Sequence, residues 1–388
     1  MKKNKNSSEK PPGIIVIGPG PAQIGGVATF IGILLSSSYL QGRYRFIHLD
    51  TTREVHDRGT ASRFSLINIM YFLRQSILFL WIWSRQHPQI MHVPLTSYWS
   101  FWKDAAFILL ARTLGIKVVA HLHGGVFDRY YRESPAWTQR LIGWCMFKAD
   151  VVIALSERWK EFLLNEVRHD LSIEVVPNTV DLMFAQAVHN NNDNPNHKEE
   201  TVLFVGGLGH RKGVYDILKA IPLVIKQFPV VQFIFAGQEE IKGEWKKIEM
   251  VCAENDLFAH AQFPGFVTGQ AKLELFSKAT IFTLPSYGEN LPFSVLEAMA
   301  LGLPIITTPV GAIPEIVEES QNGFLINPGD YEVLAQRIVK LLEDTSLRAM
   351  MYHANRKKIR EHYLPEGAMF KFDAVYSKLL ALNRSNLL

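Results

Sequence analysis

The chain has 388 residues, 48% hydrophobic and 20% charged, with a formal net charge of +4. That length and apolar content exclude a disordered or fibrous chain and predict two domains, each with its own core. The two cysteines, Cys145 and Cys252, fall in different predicted domains and match no disulfide or metal-binding spacing, which points to a reducing compartment.

In chain order, Met1 to Pro12 is basic and polar, and the apolar run after it is too short for a signal peptide, so a cytoplasmic location is expected. Strands are predicted at Ile14–Ile17, Phe46–Leu49, Ile90–Val93, Lys117–His121, Val151–Ala154 and Ile173–Val176, alternating with helical stretches. Such alternation predicts a parallel sheet with helices on both faces. Leu66 to Trp83 is rich in Leu, Ile, Phe and Trp but is interrupted by Asn68, Arg74 and Gln75, so it is not expected to span a membrane. Its bulk suits either core packing or a partly exposed face that meets lipid. The pattern stops at Phe184–Asn196, which reads as a loop beyond the domain boundary, with His189 and His197 solvated.

A second alternation runs through Thr201–Val205, Val231–Ala236, Ala261–Phe263, Ile281–Leu284, Ile305–Thr307 and Phe324–Ile326. The fold class is therefore α/β, with two doubly wound, Rossmann-like domains facing across a cleft: 1–182, and 183–366. Ligands in such sheets bind at the carboxyl ends of the strands. Charge is divided unevenly between the halves. Residues 1–180 carry 21 Lys and Arg against 13 Asp and Glu, a net +8, and the remainder carries −4. Anionic lipid or phosphate would suit the basic half, and so would a plain solvated surface.

Four loops carry candidate chemistry. Gly18 to Val27 follows the first strand, but Gln23 stands where a dinucleotide fingerprint needs its third glycine, leaving Gly25-Gly26 as a turn. His121-Leu122-His123-Gly124 closes another strand, with both histidines on one face and His123 nearer the cleft. Gly206-Gly207-Leu208-Gly209-His210-Arg211-Lys212-Gly213 opens the second domain; its glycines let backbone approach an anion, and its two cations would neutralise a diphosphate. A P-loop is excluded because no Gly-Lys-Ser/Thr is present there. Finally, Pro285 to Val317 places Glu289 and Glu297 either side of a helix start, with Pro292 in the first turn. The bare N–H groups of Phe293, Ser294 and Val295 would form a positive pole for a diphosphate, Glu297 could accept from a ribose diol, and Glu289 would face a sugar.

This last segment resembles the signature of the retaining glycosyltransferases of family 4, of bacterial surface-polysaccharide type, which have the GT-B fold. Two glutamates separated by seven residues are followed here by Ala300 to Ile306 and by Gly311 to Glu315. The chain departs from that family at Asn290-Leu291-Pro292, where Gly-Phe-Gly is common, and at Thr179, where glycine is usual. The resemblance implies that Arg211 and Lys212 grip the donor diphosphate, that His123 lies beside the transferred sugar, and that Gly25 and Gly26 reach across the cleft. It also implies that the backbone near Val267 meets the base, and that the C-terminal helix, about 367–388, packs back on the first domain.

The activity implied is metal-independent retaining transfer from a nucleotide-sugar donor, a UDP- or GDP-sugar, to a glycan acceptor. The basic first half and the aromatic-rich Leu66–Trp83 segment point to a lipid-linked acceptor, in exopolysaccharide, capsule or O-antigen assembly on the inner face of the plasma membrane, with peripheral membrane contact. No metal bridging the diphosphate is expected, since no Asp-x-Asp occurs in the chain, and no other cofactor or nucleic-acid partner is expected. Rivals are an enzyme of the same fold acting on a soluble metabolite and a nucleotide-sugar-binding protein without turnover. A glycoside hydrolase would share the two carboxylates but would not need the cationic glycine loop.

Overall fold

The computed structural model describes residues 10–21, 23–52, 66–189 and 200–385. They form two six-stranded parallel sheets. The first comprises β1 (Gly13–Gly18), β2 (Arg45–Asp50), β3 (Ile90–Leu95), β4 (Lys117–Leu122), β5 (Val151–Ala154) and β6 (Ile173–Val175). The second comprises β7 (Thr201–Val205), β8 (Gln232–Ala236), β9 (Ala261–Gly265), β10 (Ile281–Leu284), β11 (Ile305–Thr307) and β12 (Gly323–Leu325). Each overlaps its predicted run. The interior strands β1, β3, β5 and β10 are buried at every residue, which is why they read as continuous apolar runs and not as alternation.

Strand order locates the ligand crevices. The first sheet runs β2-β1-β3-β4-β5-β6 and the second β12-β11-β10-β7-β8-β9. Chain direction across the sheet therefore reverses between β1 and β3, and again between β7 and β10. At such a switch point the two following loops leave to opposite faces and open a gap at the strand ends. In the second domain those loops are 206–213 and 285–292, the cationic and acidic motifs of the sequence. Sheet topology thus brings together segments more than 70 residues apart.

Two buried clusters cover the first sheet. One face packs against the helices Leu66–Gln86, Trp99–Thr113 and Ala136–Phe147, through Phe79, Phe107 and Ile142. The other packs against Gly26–Ser36 and the last helix, Pro365–Ser385, through Phe30, Leu34, Phe372 and Tyr376. Asp373 on that last helix accepts from the Tyr44 hydroxyl at 2.6 Å and pairs with Arg43 at 2.8 Å, which ties the chain end to the first domain.

One expectation needs correction. Leu182–His189 is a helix, where a loop was expected from Phe184. Asp181 Oδ1 accepts from the Phe184 N–H at 3.0 Å at its start, and Phe184, Ala185 and Val188 bury one face. The polar residues 190–199, His197 among them, lie outside the described residues. Leu66–Gln86 is one unbroken helix of 21 residues, long and apolar enough by length and composition to cross a membrane. Arg74 and Gln75 do not break it because a helix tolerates isolated polar residues on its surface, and Gln75 Nε2 donates to the Thr51 carbonyl at 3.4 Å.

Candidate functional site

The loop after β7 is shaped by two close approaches, one to a side chain and one to backbone. A Cβ at Gly207 would lie 2.4 Å from Glu240 Cγ, and one at Gly213 would lie 2.1 Å from the Pro285 carbonyl oxygen, with φ at +75°. Both close approaches press the Arg211-Lys212 turn against the loops after β8 and β10. Lys212 Nζ consequently pairs with Glu289, which also accepts from Ser286 Oγ at 2.9 Å. Arg211 Nη1 donates to the Gly288 carbonyl at 3.0 Å, and its Nη2 pairs with Glu240. Burial alone would push the Glu289 carboxyl up, but Lys212 and Arg211 beside it hold it below the usual carboxylate range. Burial likewise opposes the Arg211 charge, and Glu289 and Glu240 outweigh it, so its pKa rises.

The acidic segment meets the first domain directly. A Cβ at Gly125 would lie 3.0 Å from Glu289 Cα, and Asn290 Nδ2 donates to the Leu122 carbonyl at 3.0 Å. Asn178 Nδ2, from the strand-end turn of the first domain, donates to the Leu291 carbonyl at 2.7 Å. The first of these bonds depends on the Asn290 side chain, at the departure from the family pattern noted above, whereas the second uses only the Leu291 backbone.

Pro292 sits at the N-cap of the helix Phe293–Ala300, one residue earlier than expected, and no side chain caps that end. Ser294 is half-buried and Val295 buried in its first turn. Gly26 faces this helix end, since a Cβ there would lie 3.7 Å from the Phe293 ring. Gly25 precedes it at φ +140°, in open space. The turn after β1 therefore reaches the start of the second domain's helix.

Glu297 is 1% exposed. Its Oε1 pairs with Lys272 Nζ, and its Oε2 is buried with no hydrogen-bond partner in the protein. Burial raises its pKa, the nearby Asp181 carboxylate adds to that, and Lys272 counteracts both. Lys272 belongs to the helix Gly269–Lys278, which begins two residues after the half-buried Val267. The loop assigned to the base is thus tethered to the glutamate assigned to the ribose.

His123 closes β4, its backbone N–H donating to the Leu95 carbonyl at 2.8 Å. Its ring lies tilted against His121 and Phe30, with centroids 4.1 and 4.6 Å away, and its Nε2 is buried without a protein partner. Burial pushes its pKa down to about 3, so the imidazole is neutral at working pH. Beneath it runs a buried relay. His121 Nδ1 meets His92 Nε2 at 3.2 Å, and His92 Nδ1 meets the Tyr376 hydroxyl at 2.6 Å, linking the C-terminal helix to the cleft.

The structure therefore brings Arg211, Lys212, Glu289, Gly207 and the Ser294–Val295 helix end to one crevice, with Gly25 and Gly26 opposite and Glu297 further along its helix. Sequence reasoning missed Glu240, Lys272, Ser286, His92 and Tyr376. Glu240 was accessible in principle, because it lies in a loop at the carboxyl end of β8. Lys272 and Tyr376 sit on helices with no motif around them. Among the described residues no group of three or more His, Cys, Asp or Glu could hold a metal ion.

Two family models divide the chain. Residues 39–184 match the model for Glycosyltransferase Family 4, and residues 186–358 match Glycosyl transferases group 1. The chain is 23% identical over 61% of its length to the capsular polysaccharide biosynthesis glycosyltransferase CapM of Staphylococcus aureus, spanning 63% of that protein. It is 25% identical over 68% of its length to N-acetyl-alpha-D-glucosaminyl L-malate synthase of Bacillus anthracis, spanning 68% of it. Of two other curated relatives it spans 41% and 50%. In structure it resembles Anabaena Alr3699/HepE solved in complex with UDP, with a TM-score of 0.70 and 17% identity over 94% of this chain and 99% of that one. The chain has the two-domain architecture of the GT-B glycosyltransferases, with a glycosyltransferase model matching each domain.

Proposed function

We propose that this chain is a retaining, metal-independent glycosyltransferase that moves a hexosyl or N-acetylhexosaminyl group from a UDP- or GDP-sugar to a lipid-linked glycan during surface polysaccharide assembly, at the cytoplasmic face of the membrane. The observation that carries this reading is the meeting, at one switch point, of Arg211 and Lys212 with Glu289 and an uncapped helix end. Glu297 Oε2 and His123 Nε2 are buried without protein partners, which supports a role for them toward the ribose and the sugar. The UDP complex of a neighbour of like fold supports the donor class, and the capsular function of one relative supports the pathway.

Bond breaking between the anomeric carbon and the diphosphate oxygen puts negative charge on the leaving group, which Arg211, Lys212 and the helix pole stabilise. The acceptor hydroxyl attacks the same face. Its proton passes to the departing phosphate oxygen, so the chain need not supply a side-chain base. Glu297 would hold the ribose and the neutral His123 would donate or accept at the sugar.

The test is a panel of nucleotide sugars incubated with the full chain in chelator, scoring transfer to lipid-linked and to soluble acceptors by product mass and anomeric configuration. Transfer with retention to a lipid-linked glycan is expected. Donor binding without turnover overturns the enzyme reading. Turnover only on a soluble hydroxy acid overturns the acceptor and follows the malate synthase relative instead.

A further inference from the structure

The first domain carries an apolar surface that its own core does not use. The helix Leu66–Gln86 packs inward through Phe72 and Phe79, whose rings lie 5.4 and 5.7 Å from Phe107, while Met70, Leu73, Ile77 and Trp81 on its outer side are exposed. Met70 and Ile77 are 69% and 68% exposed. A second exposed strip lies on the helix Ala136–Phe147, with Trp137, Leu141, Trp144 and Phe147 at helical spacing.

Topology places the two strips on one side of the molecule. The crossovers from β2 to β3, β3 to β4 and β4 to β5 all advance in the same direction across the sheet. Right-handed connections then put their helices on the same face. The Trp99–Thr113 helix, buried on its inner face, lies between, so at 8–10 Å per helix pair the strips are about 20 Å apart. The longer helix extends about 31 Å at 1.5 Å per residue.

Charge identifies the occupant. Neither helix contains a single Asp or Glu, whereas Arg74, Arg85 and Arg140 lie on them. Lys148, just past the second helix, sits 5.1 Å from the Trp144 ring. Two copies docked face to face would bring these cations together with no carboxylate from either helix to answer them. An anionic bilayer supplies the opposite charge, an apolar layer for the aliphatic groups, and an interface where Trp rings are favoured.

We infer that these two helices dock the chain on the surface of an anionic lipid leaflet, lying on it with the Leu66–Gln86 inner face still packed on the domain. The surface deepens the proposed function, because it would hold the acceptor-side domain beside a lipid-linked substrate. It can nevertheless fail independently of that function.

The experiment is co-sedimentation of the full chain with phosphatidylglycerol-containing vesicles and with pure phosphatidylcholine vesicles across a salt series. Parallel measurements cover donor turnover in lipid-free solution and mass by analytical ultracentrifugation. Binding to the anionic vesicles at low salt, released at high salt, is expected. Ile77→Asp with Trp81→Asp, and separately Trp137→Ser with Trp144→Ser, should each lower binding about tenfold or more. Lipid-free turnover should stay within about twofold, since these positions lie outside the crevice. Recovery in the supernatant with both lipids, or vesicle binding untouched by either pair of substitutions, overturns the inference. So does a lipid-free dimer that the same substitutions dissociate, which would assign the face to a second copy. Lost turnover with intact vesicle binding would instead count against the enzymatic reading alone.

Discussion

Replacing Lys272 with methionine tests the least anticipated part of the site. Methionine keeps much of the length and the apolar contacts of the stem but leaves Glu297, 1% exposed, without its cation. Breaking one side of a buried pair costs about 3–5 kcal/mol, since the remaining charge is neither hydrated nor matched. The loss depends on pH with a definite sign. Glu297 has a folded pKa raised above the ordinary 4.5, so its contribution to stability is present below that value and is lost as pH rises. Lys272 limits that loss. The variant should therefore show its full deficit at pH 8 and a smaller one near pH 5, where the carboxyl can take a proton. Urea unfolding of parent, Lys272→Met, Glu297→Gln and the double variant at both pH values provides the measurement. The double variant, with no buried charge, should recover most of the deficit. A loss below about 1 kcal/mol at pH 8, or one identical at the two pH values, would refute the pairing as the determinant of this helix contact.

Lys212→Ala and Arg211→Ala should each lower transfer efficiency about ten- to a hundredfold by removing a charge-assisted contact of about 1.5–3 kcal/mol, read from kcat/KM with the donor varied; near-parental kinetics in either would remove that residue from the site. Glu289→Gln should reduce kcat with little change in nucleoside diphosphate affinity by calorimetry, and Glu297→Gln should do the reverse to affinity; equal effects would dissolve the division between sugar and ribose ends. Acid should destabilise the fold through its buried imidazoles. His92, held to about 3 by burial with His123 adding in the same direction, stays neutral in the fold while the unfolded ring takes a proton below 6.5, so stability falls from pH 6.5 toward 3. At pH 5 that is about 2 kcal/mol, at 1.36 kcal/mol per unit; thermal or urea unfolding of His92→Gln should show a pH 7-to-5 loss smaller by that amount, and an unchanged loss would place the acid sensitivity elsewhere.

Much of this organisation was legible in the sequence because parallel strands buried on both faces leave continuous apolar runs that end in glycine or proline. Gly206 to Gly213 and Pro285 to Val317 were readable for a different reason: residue types and their order were constrained together, by the approach of the Glu240 side chain to Gly207, of the Pro285 backbone to Gly213, and by the helix start after Pro292. Lys272 and Tyr376 left no such trace. Each is one polar residue on an otherwise ordinary helix, and its role exists only once tertiary packing sets it against Glu297 or His92. The Leu182–His189 helix was hidden by the Asn-rich residues after it, whose composition outweighed an Asp181 cap. For Leu66–Gln86, composition could not decide between core and surface, because either environment accepts the same side chains.

The charges at the switch point also explain why the two motifs must meet there. Glu289 is buried, and a buried carboxylate in an apolar crevice persists as an anion only when cations and donors surround it. Lys212, Ser286 and Arg211 do this from two different loops. Arg211 in turn is held by Glu240 and by the Gly288 carbonyl. Neither cation is therefore idle before a substrate arrives. A diphosphate entering beside the Phe293–Ala300 helix end would compete with Glu289 and Glu240 for the same two cations. Pairing in advance fixes the positions of Arg211 and Lys212 at the cost of some attraction for the anion, which is the arrangement expected where charge must be stabilised as it develops on a leaving group and released afterwards. Since Gly125, Leu122 and Asn178 brace the same loop from the first domain, the position of Glu289, and through it that of Lys212, depends on the closure of the two domains over it.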